Sequence, residues 1–398
     1  MEITKKENSA KIIFHIDMNA FFCAVACISN PSLRGKAFAI GRENSYKGVI
    51  STASYEARAF GIHSAMPLSE AYRKKPDLIV VHFDYKYYVE YHNKFVKLIG
   101  QYTNLVEVAS IDEVYADMTE ISRTRHPVLV AKEIQARLLK EHGLSCSIGI
   151  APTLFLAKMA SDMKKPLGLT ILRKRDVKDI LFPLSVKEIF GIGKKTYPKL
   201  IDHGIITIAD FMNPNNRDVI IDLIGENHYY HSFNSISGSS TNIVDPNRYS
   251  DPESISTSAT FDVPLTTIAE ILFELRRMTR EVIVKLNRDD YLAKTVGITL
   301  RDSDFNTITR RKTIDEYSND FIVIYEFVTE LVEYYFDSDK TYRLVGMSVS
   351  NLVKKGDLPK EYNLFTIDDI NEKEEIVSRL INDFQSKYGE KILFRRKK

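Results

Sequence analysis

LVEVASIDEVYAD, residues 105–117, sets two apolar runs around a pair of carboxylates, Asp112-Glu113. Residues 105–110 and 114–117 have the length and β-branched content of strands, so the stretch predicts an antiparallel hairpin with the acidic pair at its turn. Upstream, IIFHID (12–17) is a short apolar run ending in Asp17, which suits a buried strand, and residues 21–27 and 85–99 have helical periodicity. Downstream come a helix over 128–139, a strand over 145–150 and a helix over 153–163. The order is β-α-β-β-α-β. It predicts an α+β fold built on the split, ferredoxin-like unit, an antiparallel sheet with helices on one face, interrupted by an insertion at 24–83.

The insertion holds a turn cluster, NPSLRGK, a strand over 37–40, and a helix that starts at Tyr55 and stops at Gly61. Residues 173–240 read as short helical pieces around FGIGKK, and the turn-rich stretch 238–252 (GSSTNIVDPNRYSDP) reads as a linker with a boundary near 241–252. Beyond it, 255–263, 267–286, 293–301, 306–314, 321–335 and 342–352 repeat the order strand, helix, strand, strand, helix, strand. No sequence repeat accompanies the second unit. After Gly356 come PKEYNLF, a helix over 372–387 and a basic end, residues 395–398.

The 398 residues are enough for two to four domains, and 44% hydrophobic residues is ordinary for a folded chain. Lys plus Arg number 55 against 53 Asp plus Glu, so no global charge announces a polyanionic partner. The excess is local: residues 1–172 carry 22 basic and 17 acidic residues, a net +5, while 253–355 carry 14 and 17, a net −3. Three cysteines, Cys23, Cys27 and Cys146, exclude a disulfide scaffold and a thiolate zinc site and fit a reducing cytoplasm. Nowhere do eighteen apolar residues stand together, which predicts no signal peptide, no transmembrane helix and a cytoplasmic protein.

Adjacent strands of the split unit bring Asp17 and the Asp112-Glu113 pair toward one sheet edge. Three carboxylates together repel unless a cation sits among them, and Mg²⁺, which takes oxygen ligands and shares them with substrate phosphates, suits phosphoryl transfer. On spacing alone the plainer reading, a polar turn with Asp17 capping the next helix, is the stronger. A phosphate-binding set in the insertion shifts the balance: Thr52 near a helix start, with Tyr55 and Arg58 three apart on one face, and Lys165 after the helix at 153–163.

In this order and spacing, FHIDMNAFFCAV, NPSLRGKAFAI, STASYEARAFGI, ASIDEVYADM, SIGIAPTLFLAKMASDMKKP and FGIGKK resemble the Y-family DNA polymerases, across roughly residues 11–355. The resemblance implies a right-hand polymerase: palm at 1–20 and 84–172, fingers at 21–83, a helical thumb at 173–240, a linker at 241–252, a little finger at 253–355 and a tail at 356–398. It implies a low-fidelity, translesion enzyme with two Mg²⁺ ions held by Asp17, Asp112, Glu113 and the Met18 carbonyl. Thr52, Tyr55, Arg58 and Lys165 match the triphosphate contacts. Phe22 matches the steric gate that excludes a 2′-hydroxyl, and Val49 and Ser51 align with small residues near the templating base.

Implied partners are primer-template DNA and deoxynucleoside triphosphates, with the protein a monomer. Gly191, Gly193, Lys194 and Lys195 look like a helix-hairpin-helix loop for the DNA backbone. On NTITRRKTI (306–314), alternation puts Arg310 and Lys312 on one side, toward duplex phosphates, and Arg311 on the other. Leu364 and Phe365 in EYNLF resemble a degenerate sliding-clamp peptide, with Glu361 where the motif normally has Gln; packing of the tail is an equal reading. Two rivals stand beside the polymerase: a catalytically silent DNA-binding or clamp-recruited scaffold, and another palm-type nucleotidyl enzyme such as a cyclase.

Overall fold

Strand β1 (Ile13–Met18) runs between two antiparallel neighbours, and all six of its residues are buried. The computed structural model describes residues 10–82 and 84–358, and the chain divides into two units, Met1–Asp251 and Pro252–Lys398. Helix α1 (Phe21–Ser29) follows β1, and the chain then forms a small separate layer. There β2 (Phe38–Ile40) pairs antiparallel with β3 (Thr52–Ala53) and parallel with β4 (Ile79–Val81), and α2 (Tyr55–Arg58) and α3 (Leu68–Lys74) share its core. α3, β3 and β4 had no clear sequence pattern, being short and partly apolar on every side.

Helix α4 (Tyr85–Ile99) returns the chain to the first sheet; the Asp84 side chain caps it by accepting from the Lys86 amide, and Phe95, Leu98 and Ile99 lie in its buried stripe. Strands β5 (Val106–Val108) and β6 (Glu113–Asp117) form the expected hairpin. Helix α5 (Pro127–His142) begins with proline in its first turn and ends at Gly143, whose φ of +67° lets its amide turn back to the Leu138 and Leu139 carbonyls. Strand β7 (Cys146–Ala151), helix α6 (Leu154–Asp162) and strand β8 (Leu169–Ile171) complete the layer.

The sheet order is β5-β6-β1-β7-β8. Its first four strands have the split arrangement, and β8 adds an edge parallel to β7 that three residues were too short to announce. Helices cover both faces rather than one. Phe14 and Ile16 share a core with residues of α4 and α5, whereas Ile13 packs with α6 on the other side. Helix α6 lies flat because β7 offers it Gly149: a Cβ there would stand 2.0 Å from the Ala157 carbonyl oxygen. That close approach depends on small residues, which carry no hydrophobic period of their own.

Five short helices, α7 (Val177–Ile180), α8 (Tyr197–Asp202), α9 (Ile208–Met212), α10 (Arg217–Ile224) and α11 (Glu226–Ile236), extend the α6 core through Leu200, Phe211 and Ile236. Residues 241–251 have no regular structure yet are tied down, since both oxygens of buried Glu107 are engaged by them: Oε2 accepts from the Asp245 amide at 2.9 Å and Oε1 from Arg248 at 2.7 Å.

The second unit contains β9 (Ser254–Leu265), α12 (Ile268–Arg288), β10 (Tyr291–Asp302), β11 (Thr307–Ser318), α13 (Phe321–Tyr335) and β12 (Tyr342–Lys354). Its element order matches the first sheet, but its strand order, β11-β10-β12-β9, does not. The first strand is central in one unit and at the edge in the other, so the two sheets are not copies. Among the described residues, no helix is long and apolar enough to cross a membrane.

Candidate functional site

Antiparallel register makes Asp17 of β1 and Glu113 of β6 direct cross-strand partners. Like charges in that position repel, and helix α6 answers them with Lys158, whose Nζ is 2.6 Å from Glu113 Oε1 and 3.2 Å from Asp17 Oδ2. Lys165 Nζ reaches the same Asp17 oxygen at 2.6 Å and Asp162 at 2.7 Å. Burial, reinforced by Glu113, pushes the Asp17 carboxyl up to about 7 despite both lysines. Burial also works against ionised Glu113, but interactions with His15, Asp17 and Lys158 outweigh it and hold that carboxyl well below its usual range. The two adjacent groups thus titrate as a pair, with Glu113 the more readily ionised.

Asp112 makes different contacts from its neighbour. Its Oδ1 accepts from Ser110 Oγ at 2.6 Å, and its carbonyl accepts from the Met18 amide at 2.9 Å. Among the described residues, no three His, Cys, Asp or Glu side chains stand close enough to form a ready metal cage. Asp112 stands just before β6, and only Glu113 is in register with Asp17. The oxygen donor set nevertheless fits a hard divalent cation, which completes its shell with water and substrate oxygens, and Asp17, Met18, Asp112 and Glu113 all line one cavity of about 300 Å³.

The same cavity is lined by Thr52, Tyr55, Arg58 and Lys165, so the acidic residues and the set expected to contact phosphate meet. Ser54 Oγ caps α2 by accepting from the Ala57 amide, which starts the helix where Tyr55 and Arg58 share a face. The Arg58 guanidinium lies 4.8 Å from the Tyr55 ring centre and donates Nε to the Ala53 carbonyl, leaving its terminal nitrogens for a ligand. Phe21 is core, whereas partly exposed Phe22 lines both this cavity and a neighbouring one of about 590 Å³. Val49 and Ser51 border the second cavity.

Gly191, Gly193, Lys194 and Lys195 are all exposed, and Gly191 has φ of +96°, a conformation that favours glycine. Arg310 and Lys312 require a correction. They pair with Ile298 and Val296, core residues of β10, and so project to the helix-covered face. Arg310 lies over the Tyr335 ring and Lys312 bonds Glu330, both on α13. Arg311 takes the open face, above Gly297. Leu364 and Phe365 lie outside the described residues.

Sequence reading missed Lys158, only 7% exposed, because a lysine on a helix reads as surface. Its spacing held a clue: 158 and 162 are four apart on one helical face, and the chain leads on from there to Lys165, already singled out. Buried His15 was also missed; its Nδ1 is 2.8 Å from Ser161 Oγ and its Nε2 is 3.6 Å from Glu113. His15 and Asp17 alternate onto one face of β1.

Profiles of the impB/mucB/samB family and of its C-terminal domain match residues 16–162 and 252–361. The DNA polymerase IV of Oceanobacillus iheyensis is 38% identical over 389 residues, 98% of this chain and 92% of that protein. DNA polymerase IV 1 of Bacillus subtilis is 38% identical over 385 residues, 96% of this chain and 92% of that one. A chimera of the Y-family DNA polymerases Dbh and Dpo4 superposes with a TM-score of 0.77 at 24% identity, covering 86% of this chain and 99% of its own. DinB from Sulfolobus solfataricus does so with a TM-score of 0.60 at 24% identity and the same coverage. The chain therefore has the right-hand fold of Y-family DNA polymerases and belongs to the impB/mucB/samB family.

Proposed function

We propose that this chain is a template-directed DNA polymerase that adds deoxynucleotides to a primer 3′ end by two-metal phosphoryl transfer and copies, at low fidelity, past damaged template bases. One observation carries the reading: a single cavity collects the carboxylates, the phosphate-binding set and the aromatic Phe22. Residues 1–20 and 84–172 act as palm, 21–83 as fingers, 173–240 as thumb, 241–252 as linker, 253–355 as little finger and 356–398 as tail.

Asp17, Asp112, Glu113 and the Met18 carbonyl hold Mg²⁺, two ions per site, which when bound lower the cost of charge on the attacking 3′-oxygen and the departing pyrophosphate. Arg58 offers its terminal nitrogens to phosphate oxygens, Thr52 and Tyr55 add hydroxyl donors, and Lys165 adds a point charge. Phe22 closes the space a 2′-hydroxyl needs, while Val49 and Ser51 leave the templating base loosely bounded.

The exposed loop at Gly191 and Gly193, with Lys194 and Lys195, grips the DNA backbone without reading sequence. On the little finger that role passes to Arg311, since Arg310 and Lys312 brace α13. The enzyme works as a cytoplasmic monomer, and Leu364 and Phe365 engage a sliding clamp that supplies processivity.

The test is extension of a labelled primer on undamaged template with Mg²⁺, wild type beside Asp112→Ala. Loss of extension in the variant supports the site; extension that survives removes Asp112 from it, and an inactive wild type that still binds DNA is the silent scaffold.

A further inference from the structure

Lys158 has no part in the chemistry above, yet it is the most deeply placed cation at the site. Its side chain is 9% exposed against 29% for Lys165, and its Nζ touches both Glu113 and Asp17. It is also fixed from behind. Helix α6 presses so closely on β7 that Gly149 has no room for a Cβ against Ala157 and Ser161, and Ser161 Oγ donates to the Lys158 carbonyl at 2.8 Å. Lys165, beyond the helix and more exposed, can swing from Asp17 to a phosphate; Lys158 has no such path.

We propose that Lys158 is a positioning residue, a built-in counter-ion that holds Asp17 and Glu113 in register before a divalent cation binds and that weakens the cation's hold on them. This rests on the metal-dependent polymerase reading. Two carboxylates facing each other across paired strands need positive charge nearby. An ammonium tethered to a rigid helix keeps the pair aligned in every state, so the strand edge does not splay when the site is empty of metal. The same charge opposes a second cation a few ångström away, which keeps affinity low enough for the metal to leave with product.

Full-length Lys158→Met, which keeps the packing and removes the charge, is compared with Lys158→Arg and wild type. Melting is followed in EDTA and in Mn²⁺, and Mn²⁺ binding is read from loss of the free-ion paramagnetic resonance signal. Lys158→Met should melt below wild type in EDTA, recover more than wild type when Mn²⁺ is added, and bind Mn²⁺ at least tenfold more tightly, because a repelling charge a few ångström from the metal is gone. Lys158→Arg should behave as wild type.

A packing role alone would lower the melting temperature of Lys158→Met equally with and without Mn²⁺ and leave Mn²⁺ affinity unchanged or weaker, which overturns the proposal. A Lys158→Met that cannot fold even in Mn²⁺ overturns it too, because the metal should replace the missing charge. A wild type that binds no Mn²⁺ would instead refute the metal-dependent reading beneath it.

Discussion

The ring of Phe22 on α1 packs 4.3 Å, centre to centre, from the ring of Tyr88 on α4. Tyr88 is 4% exposed and backs Phe22 from its own helix, lining the neighbouring cavity and not the one that holds the carboxylates. Under the proposed function Phe22 must not yield to a 2′-hydroxyl, and the Tyr88 ring packed against it limits how far it can move. Phe22→Ala should raise ribonucleotide over deoxynucleotide incorporation at least tenfold, about 1.4 kcal/mol of lost discrimination, measured as the ratio of kcat/KM for the two substrates. Tyr88→Leu, which keeps an apolar filler, should raise it by less. An unchanged ratio in Phe22→Ala removes the residue from the gate.

The meeting of Asp17 and Glu113 was legible because a hairpin and one flanking strand leave few ways to order a split sheet. What escaped was of another kind. Alternation says that Arg310 and Lys312 share a face, but which face is covered depends on where α13 packs, a long-range fact. The same element order produced two strand orders, since local pattern does not choose which strand becomes central. Lys158 was hidden because its burial follows from how α6 packs flat on β7 at Gly149, a contact between distant segments. Asp112 lines the same cavity as Asp17 and Glu113, but its hydrogen bond to Ser110 is a turn contact that no periodic pattern announces.

Arg311 lies on the open face of the second sheet, while Arg310 and Lys312 are occupied at α13. Each phosphate contact contributes a slope of about −0.9 in log affinity against log salt. Arg311→Ala should therefore flatten the salt dependence of primer-template binding by about one, and Lys312→Ala should leave it unchanged. Equal effects from both variants would mean that Lys312 leaves Glu330 to reach DNA.

Glu107 and Arg248 close an unequal clasp, the carboxylate side chain 3% exposed and the guanidinium 34%. Arg248→Ala strands a buried charge whose other partner is the Asp245 amide, whereas Glu107→Gln leaves an arginine that water can still reach. The cost of a broken pair falls on the member left buried. Arg248→Ala should destabilise the first unit by about 3 kcal/mol and Glu107→Gln by about 1 kcal/mol, in urea unfolding followed by circular dichroism. Both should speed proteolytic cleavage within 243–253. The reverse order of stabilities would show that Arg248 contributes through packing and not through charge.

Asp117, at the end of β6, is 5% exposed, and its Oδ2 lies 2.6 Å from Lys11 Nζ while Oδ1 accepts from the Thr119 amide. Burial alone would raise its carboxyl, but Lys11 and Thr119 together hold it below the ordinary value. A carboxyl whose folded pKa is depressed binds its proton more readily in the unfolded chain. Its stabilisation is therefore fully present above the unfolded value, about 3.9, and is lost as pH falls through the lower folded value. At pH 7 Asp117→Asn should cost about 1–3 kcal/mol, the usual range for a buried charge-assisted hydrogen bond. The gap between wild type and variant should hold from pH 7 to about 5 and then narrow as the solution is acidified below about 4. A gap that stays constant through that acid range would mean that Asp117 contributes shape and not charge, and that Lys11 is merely near it.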